Sequence, residues 1–232
     1  MYPLRADQIL KWVQGPHVLD VGCTGHAVQI GSRGWLHGRL REQFPAVSGI
    51  DISAENITAL QRQGFANLHV RSAESFELDE EFDTIVAGEL IEHLSNPGLF
   101  LQQARAHLKP GGRVVLTTPH PFSLLDITYA LFRFPRTCQN LQHTCWFCPQ
   151  TMKELAERSR LKIEHFELIE DYSPDCPSRP YRAVVRITRT LRFFLPRLFA
   201  RNAMLFVLAA DADVPPGSAG ARPAAINGRK TL

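Results

Sequence analysis

Phe82 to Pro119 reads FDTIVAGELIEHLSNPGLFLQQARAHLKPGGRVVLTTP. Its first six residues, Phe82 to Ala87, form a short apolar run rich in β-branched side chains, the pattern of a strand covered on both faces. Gly88 is expected to release the chain, and Glu89, Glu92 and His93 follow. If Glu89 opens a helical turn, the residues at i+3 and i+4 leave the same face, so two carboxylates and an imidazole converge past a strand end. Three ionisable groups at such a place are the sequence's first candidate site.

Working outward, strands alternate with helices. Upstream, Pro3 to Gln14 is a short amphipathic helix, and His17 to Val21 is the first strand, ended by Gly22. Trp35 to Phe44 reads as a helix, Val47 to Asp51 as a strand, Ala54 to Gln63 as a helix closed by Gly64, and Asn67 to Val70 as a third strand. Within the opening stretch, Pro97 to Leu108 is a helix stopped by Lys109-Pro110-Gly111-Gly112, and Arg113 to Thr117 is strand five. Such alternation predicts an α/β fold with a doubly wound, mainly parallel sheet and ligands at the carboxyl ends of its strands. Asp20, Asp51, Ser72 and Glu89 then share one edge.

Beyond Pro119 the rhythm breaks. Pro121 to Arg136 is apolar and reads as a helix covering the site; Gln150 to Arg160 is a further helix, and 163–169, 181–187 and 204–209 are read as late strands. The tail from Asp211 has no periodic apolar pattern and is expected to be disordered. A chain of 232 residues with 44% hydrophobic composition suits one domain, here residues 1–210 with an apolar lid insertion at about 120–149, followed by the tail 211–232. Five cysteines, an odd number, and the absence of an apolar leader argue against a disulfide framework and for the cytoplasm. The window 191–210 is interrupted by arginines and a proline and is too polar to span a membrane. From Arg179 to Arg201 seven arginines stand without one acidic residue. That basic stripe with apolar neighbours suits peripheral contact with an anionic inner membrane face, or a solvated rim.

Val18 to Gly25, VLDVGCTG, is a strand, an acid and a tight glycine turn; Gly49 to Ser53, GIDIS, is a second strand ending in an acid. With Leu108-Lys109-Pro110-Gly111-Gly112 before strand five, these stretches resemble the motifs of class I methyltransferases that use S-adenosylmethionine. The resemblance covers residues 15 to 170. It implies a Rossmann-like seven-stranded sheet with helices on both faces and an antiparallel last strand. It also implies a donor site built from Asp20, Gly22, Cys23, Gly25, Asp51, Ile52, Ala73, Glu74 and Gly88, in which Asp51 accepts the ribose hydroxyls. Thr24 stands where the motif carries a further glycine, His26 follows Gly25 directly, and Ser72 replaces the usual adenine-side acid, so that Glu74 takes the adenine amino group or the Ala73 backbone does. A dinucleotide-binding domain needs three glycines at fixed spacing and an acid about twenty residues on, which Gly22, Gly25 and Asp51 do not supply.

Methyl transfer from a sulfonium needs in-line placement and, for a hydroxyl acceptor, loss of a proton. Glu89, Glu92, His93 and, as a fourth residue, His143 can act as ligands to Mg²⁺ or another divalent metal that acidifies the acceptor. Without a metal, His93 or His143 is the general base. The Glu-x-x-Glu-His arrangement and the later histidine resemble O-methyltransferases of ubiquinone biosynthesis and 2′-O-methyltransferases of small-RNA ends, the former over more of the chain. The acceptor is read as a small hydroxylated or lipid-linked compound. Nucleic acid is disfavoured, because no aromatic stacking platforms interleave with the arginines. A non-catalytic adaptor with the same fold is the rival from another class, and retention of Asp20, Gly22, Asp51 and the glutamate-histidine cluster argues against it. Cys145-Trp146-Phe147-Cys148 has zinc spacing but lacks the second ligand pair, so free thiols are expected.

Overall fold

His17–Val21 (β1) pairs in parallel with Ala46–Asp51 (β2) on one side and with Phe82–Gly88 (β4) on the other. The computed structural model describes residues 4–25, 32–133, 140–171, 179–191, 194 and 196–210. Leu68–Val70 (β3) extends the sheet beyond β2, and Leu108–Pro119 (β5), Ala203–Ala210 (β7) and Leu161–Ile169 (β6) extend it beyond β4. The order is β3-β2-β1-β4-β5-β7-β6, with β7 antiparallel to both its neighbours. The chain therefore runs outward from β1 to β3 and restarts at β4 on the other side, and the crevice for a ligand lies where the direction switches. Asp20 is aligned with Gly49 of β2 and Val86 of β4, which brings the ends of all three strands to that crevice.

Both faces of the strands are buried. Leu19, Ile85 and Leu116 pack with Phe100, Leu101 and Ala104 of Pro97–Ala106 and with Met152 and Ala156 of Pro149–Arg158. Their neighbours Val18, Val86 and Val115 face the other way, against Ile9 of Arg5–Leu10 (α1) and Leu40 of Leu36–Gln43 (α2). This alternation is why the strands read as continuous apolar runs. Ala54–Arg62 (α3) starts at Ser53, whose hydroxyl accepts from the Asn56 amide. Leu124–Arg133 (α5) follows β5, as the apolar run after Pro119 predicts.

Three expectations are corrected. Residues 181–187 belong to a helix, Arg179–Leu191 (α7): Tyr181, Val184, Val185 and Thr188 recur at helical spacing and turn inward, with Val185 packed on Leu125, while Arg182 and Arg186 face solvent. Lys109 to Gly112 do not precede strand five but lie inside β5, where the pairing jumps from Phe82↔Leu108 to Thr84↔Arg113. Glu89 does not open a helix: Gly88 ends β4, Glu89 takes a left-handed φ of 53°, and Ile91–His93 is an isolated 3₁₀ turn. Among the described residues no helix is long and apolar enough to cross a membrane. The tail 211–232 lies outside the described residues.

Asp83 ties the lower end of the sheet together. Its Oδ2 accepts from the His17 amide at 2.9 Å and from Lys109 Nζ at 3.1 Å. It packs so closely on Gly15 (φ 73°) that a Cβ there would sit 2.2 Å from its own. Burial pushes the Asp83 carboxyl up, but the amide and the ammonium outweigh it and hold the group below its ordinary value. A depressed carboxyl contributes stability that is present above the unfolded value of about 3.9 and is lost as pH falls through the folded value. Asp83→Asn is therefore expected to lower stability at neutral pH and to flatten the fall in urea midpoint between pH 5 and pH 3, roughly the window in which carboxylates titrate. Parallel acid limbs for the two proteins would contradict this role.

Candidate active site

The turn after β1 is fixed from several sides. Gly22 (φ 81°) and Gly25 (φ 60°) both take left-handed backbone that other side chains resist. The Gly22 and Cys23 amides donate to the Ile50 carbonyl of β2 at 2.9 and 3.2 Å. Asp51 Oδ2 accepts from the Thr24 amide at 3.1 Å and the Thr24 hydroxyl at 2.7 Å, and its Oδ1 accepts from the Ser53 amide at 2.9 Å. Ile52 beside it is 78% exposed, an aliphatic side chain left standing at the rim of the crevice.

The other predicted donor residues fall into different surroundings. Asp20 is buried, with Oδ2 3.1 Å from His37 Nδ1. Cys23 turns its side chain into a core cluster with Trp35, Ile57, Leu60 and Leu68, and burial next to Asp20 and Asp51 pushes the thiol far up. Ala73 packs against the main core. Glu74 is already engaged: Oε1 accepts from the Ser95 and Asn96 amides at 2.8 and 3.1 Å, and Oε2 from Asn96 Nδ2 at 3.3 Å, bracing the loop before Pro97. A Cβ on Gly88 would meet Leu36 Cδ2 at 3.2 Å and Ile9 Cδ1 at 3.5 Å, so the missing side chain there serves the packing of α1 and α2.

Past the end of β4, the Glu89 amide donates to the Thr117 carbonyl and hydroxyl at 3.1 and 3.2 Å, which holds its left-handed backbone in place. Strain of this kind costs about 1–3 kcal/mol and persists only where the surroundings impose it. Glu92 is 1% exposed; its Oε2 accepts from the Thr118 hydroxyl at 3.0 Å, while its Oε1 has no hydrogen-bond partner among the described residues. Thr144 staples a distant segment to this turn: its amide donates to the Glu92 carbonyl at 2.8 Å, and its hydroxyl lies 3.0 and 2.6 Å from the Glu92 and Leu94 carbonyls. The staple carries His143 to His93, ring against ring at 4.7 Å and 82°.

Glu92, His93 and His143 each offer a ligand atom, all within 4.8 Å of one another. Glu89 lines the same cavity, of about 290 Å³, but does not join that cluster. Across the cavity Arg5, from the start of α1, pairs with Asp171 at 2.6 Å. Burial and the neighbouring Glu92 push the Glu89 carboxyl well up, with Arg5 opposing. Burial also pushes Glu92 up to about 7, against the hydrogen bond from Thr118 and the charge of Arg5. Two carboxylates withdrawn from water with one unsatisfied oxygen each make a site that favours a cation or a donated proton.

Sequence reasoning missed Arg5, Asp171, His37 and Thr144. Arg5 and Asp171 are 166 positions apart and carry no local signal of their pairing, whereas Thr144 adjoins a histidine already singled out. Cys145 and Cys148 are free thiols, and among the described residues no cysteine joins a metal-ligand cluster.

A family model described as a methyltransferase domain matches residues 6–165. A ubiquinone biosynthesis O-methyltransferase of Coxiella burnetii (strain Dugway 5J108-111) is 33% identical over 175 residues, covering 69% of this chain and 70% of that protein. A protein of the same description from Bradyrhizobium sp. (strain ORS 278) is 34% identical over 123 residues; the match takes in 49% of this chain and only 44% of that relative. Among solved structures, the N-methyltransferase NodS from Bradyrhizobium japonicum WM9 in complex with S-adenosyl-L-homocysteine superposes with a TM-score of 0.55 at 16% identity, over 89% of this chain and 85% of its own. The chain belongs to the methyltransferase domain family.

Proposed function

We propose that this protein transfers the methyl group of S-adenosylmethionine to a hydroxyl of a small or lipid-linked acceptor. The observation that carries the reading is the convergence of Glu92, His93 and His143 in a cavity at the same sheet edge as the Gly22–Gly25 turn. The names of the relatives support O-methylation, and the bound product in NodS supports the donor. On this reading the donor's methionine end lies against the turn backbone, Asp51 accepts from the ribose hydroxyls beside Thr24, and adenine packs on the exposed Ile52.

One carboxylate and two imidazoles fit a divalent metal that accepts nitrogen ligands, such as Zn²⁺ or Mn²⁺, better than Mg²⁺. Glu92, His93 and His143 would hold it, and the unsatisfied buried oxygen of Glu92 is the kind of ligand atom it requires. When bound, such an ion acidifies the acceptor hydroxyl. Thr118 and Thr144 fix Glu92 and the His143 segment, and Arg5 holds its charge against the carboxylates whether or not a metal is present. In the absence of a metal His93 or His143 accepts the hydroxyl proton. Among the described residues Glu89, Glu92, Asp126 and Asp171 line the cavity with Arg5 as the one permanent cation, which disfavours an acceptor bearing a carboxylate or phosphate beside the reacting hydroxyl.

Arg179, Arg182 and Arg186 are exposed on α7, and Leu131 and Phe132 of α5 are 73% and 81% exposed. This pairing of cationic and apolar surface supports peripheral contact with an anionic membrane. Arg201 of the same stripe is used internally, 3.3 Å from Glu170.

Transfer of labelled methyl from S-adenosylmethionine to a panel of catechols, monophenols and short RNA tests the reading. Turnover is expected on a neutral hydroxylated aromatic, with a chelator lowering it at least about tenfold and Zn²⁺ or Mn²⁺ restoring it. Glu92→Gln and His93→Ala are each expected to lower turnover by about 10–100-fold while donor affinity stays within a factor of about two. Wild-type turnover in both variants would refute the role of the cluster. Co-sedimentation is expected with vesicles containing anionic lipid, to weaken in salt and on Arg182→Glu with Arg186→Glu. Equal recovery on neutral vesicles would contradict membrane contact.

A further inference from the structure

In the turn that receives the donor, two glycines flank Cys23 and Thr24, residues with no special backbone freedom. Side chains hold both. Thr24 is held by Asp51, while the Cys23 carbonyl accepts from Trp35 Nε1 at 2.9 Å. One residue beyond Leu36, His37 Nδ1 lies 3.1 Å from Asp20 Oδ2 at the end of β1. At that distance the imidazole can donate from Nδ1 to the carboxylate.

Both rings sit beneath the turn rather than at its surface. His37 is 0% and Trp35 9% exposed, and their rings lie 5.7 Å apart at 41°. Neither has the exposure needed to touch a ligand in the crevice. The sheet makes room for them: a Cβ on Gly49 of β2 would come within 2.9 Å of His37 Cε1 and of Cys23 Sγ. Asp20 is 2% exposed, and the imidazole is its recorded side-chain partner. A buried carboxylate that loses its N–H donor must find another or shift its backbone.

We propose that Trp35 and His37 are positioning residues of the donor site. Reaching up from the start of α2, they clamp the strand end at Asp20 and the turn at Cys23, and thereby set the backbone against which S-adenosylmethionine binds. The proposal rests on the donor reading above and assigns a function to the Trp-x-His pair at Trp35 and His37.

Isothermal titration of the full chain with S-adenosylmethionine and with S-adenosylhomocysteine tests it. Absence of wild-type binding would defeat the donor reading itself. Given wild-type binding, His37→Phe keeps an aromatic ring but loses the donor, and is expected to raise both dissociation constants at least about tenfold, the scale of one hydrogen bond to a charged group. His37→Asn, whose side-chain amide can donate to Asp20, is expected to restore affinity to within a factor of about three of wild type. Trp35→Phe loses only the indole N–H at that carbonyl and is expected to weaken both ligands by about 3–10-fold. That rescue separates positioning from general loss of packing, because asparagine fills less of the ring's space than phenylalanine. Folded His37→Phe with wild-type affinity would overturn the proposal. Should His37→Phe not fold, Trp35→Phe decides: weakened binding supports the clamp, and wild-type affinity overturns it.

Discussion

The parallel pairing of β1 between β2 and β4 is the constraint on which the rest of this structure depends. It buries both faces of three adjacent strands, so their side chains must be apolar and their carboxyl ends must be where the chain turns polar. The register that aligns Asp20 with Gly49 and Val86 puts the glycine turn, Asp51 and Glu89 at one edge. Polar groups concentrated at such an edge carry a desolvation cost, and each is offset by a specific partner: His37 for Asp20, Thr24 for Asp51, Thr118 for Glu92. Glu89 and Glu92, which line the cavity, each keep one buried oxygen without a hydrogen-bond partner among the described residues.

The two halves of the site are built on different principles. The half proposed for the donor is backbone-dominated: the turn amides, the Ile50 carbonyl and two left-handed glycines shape it. The acceptor half is side-chain-dominated and assembled from remote parts of the chain. Arg5 from the first helix, Asp171 past β6 and His143 on the stapled segment meet a turn that follows β4. Such an assembly is held in place by the sheet, since the residues that meet are far apart in the chain. Arg5 illustrates the consequence: its charge opposes the rise that burial imposes on both carboxyls, and Asp171, 166 positions away, anchors it.

Much of this was legible in the amino-acid sequence because its signals are local. Apolar runs ending in an acid or a glycine located β1, β2 and β4, and the motif order located the donor edge. The Glu92–His93 pair and His143 were visible as residue types, although their meeting depends on Thr144, whose bonds to Glu92 and Leu94 no periodicity encodes. Two readings failed for identifiable reasons. Residues 181–187 are β-branched enough to look like a strand, but their burial follows a helical period once α5 is there to pack against. Glu89 is expected to open a helical turn with its i+3 and i+4 partners, whereas the bonds its amide donates to Thr117 hold a left-handed turn, and Glu92 and His93 meet His143 in a cluster that Glu89, though it lines the cavity, does not join. The roles of Glu74 and Gly88 likewise emerged only from tertiary packing, which turns one to the Ser95–Asn96 loop and the other to α1 and α2.

The central claim is that the switch point between β1 and β4 is a site for S-adenosylmethionine. Equilibrium titration of the full chain with this cofactor tests it most directly. Saturable one-to-one binding with a dissociation constant in the micromolar range, about −8 kcal/mol, is the predicted result, with Asp51→Asn weakening it at least about tenfold. No binding at a cofactor concentration of about 1 mM, a free energy weaker than about −4 kcal/mol, would contradict it.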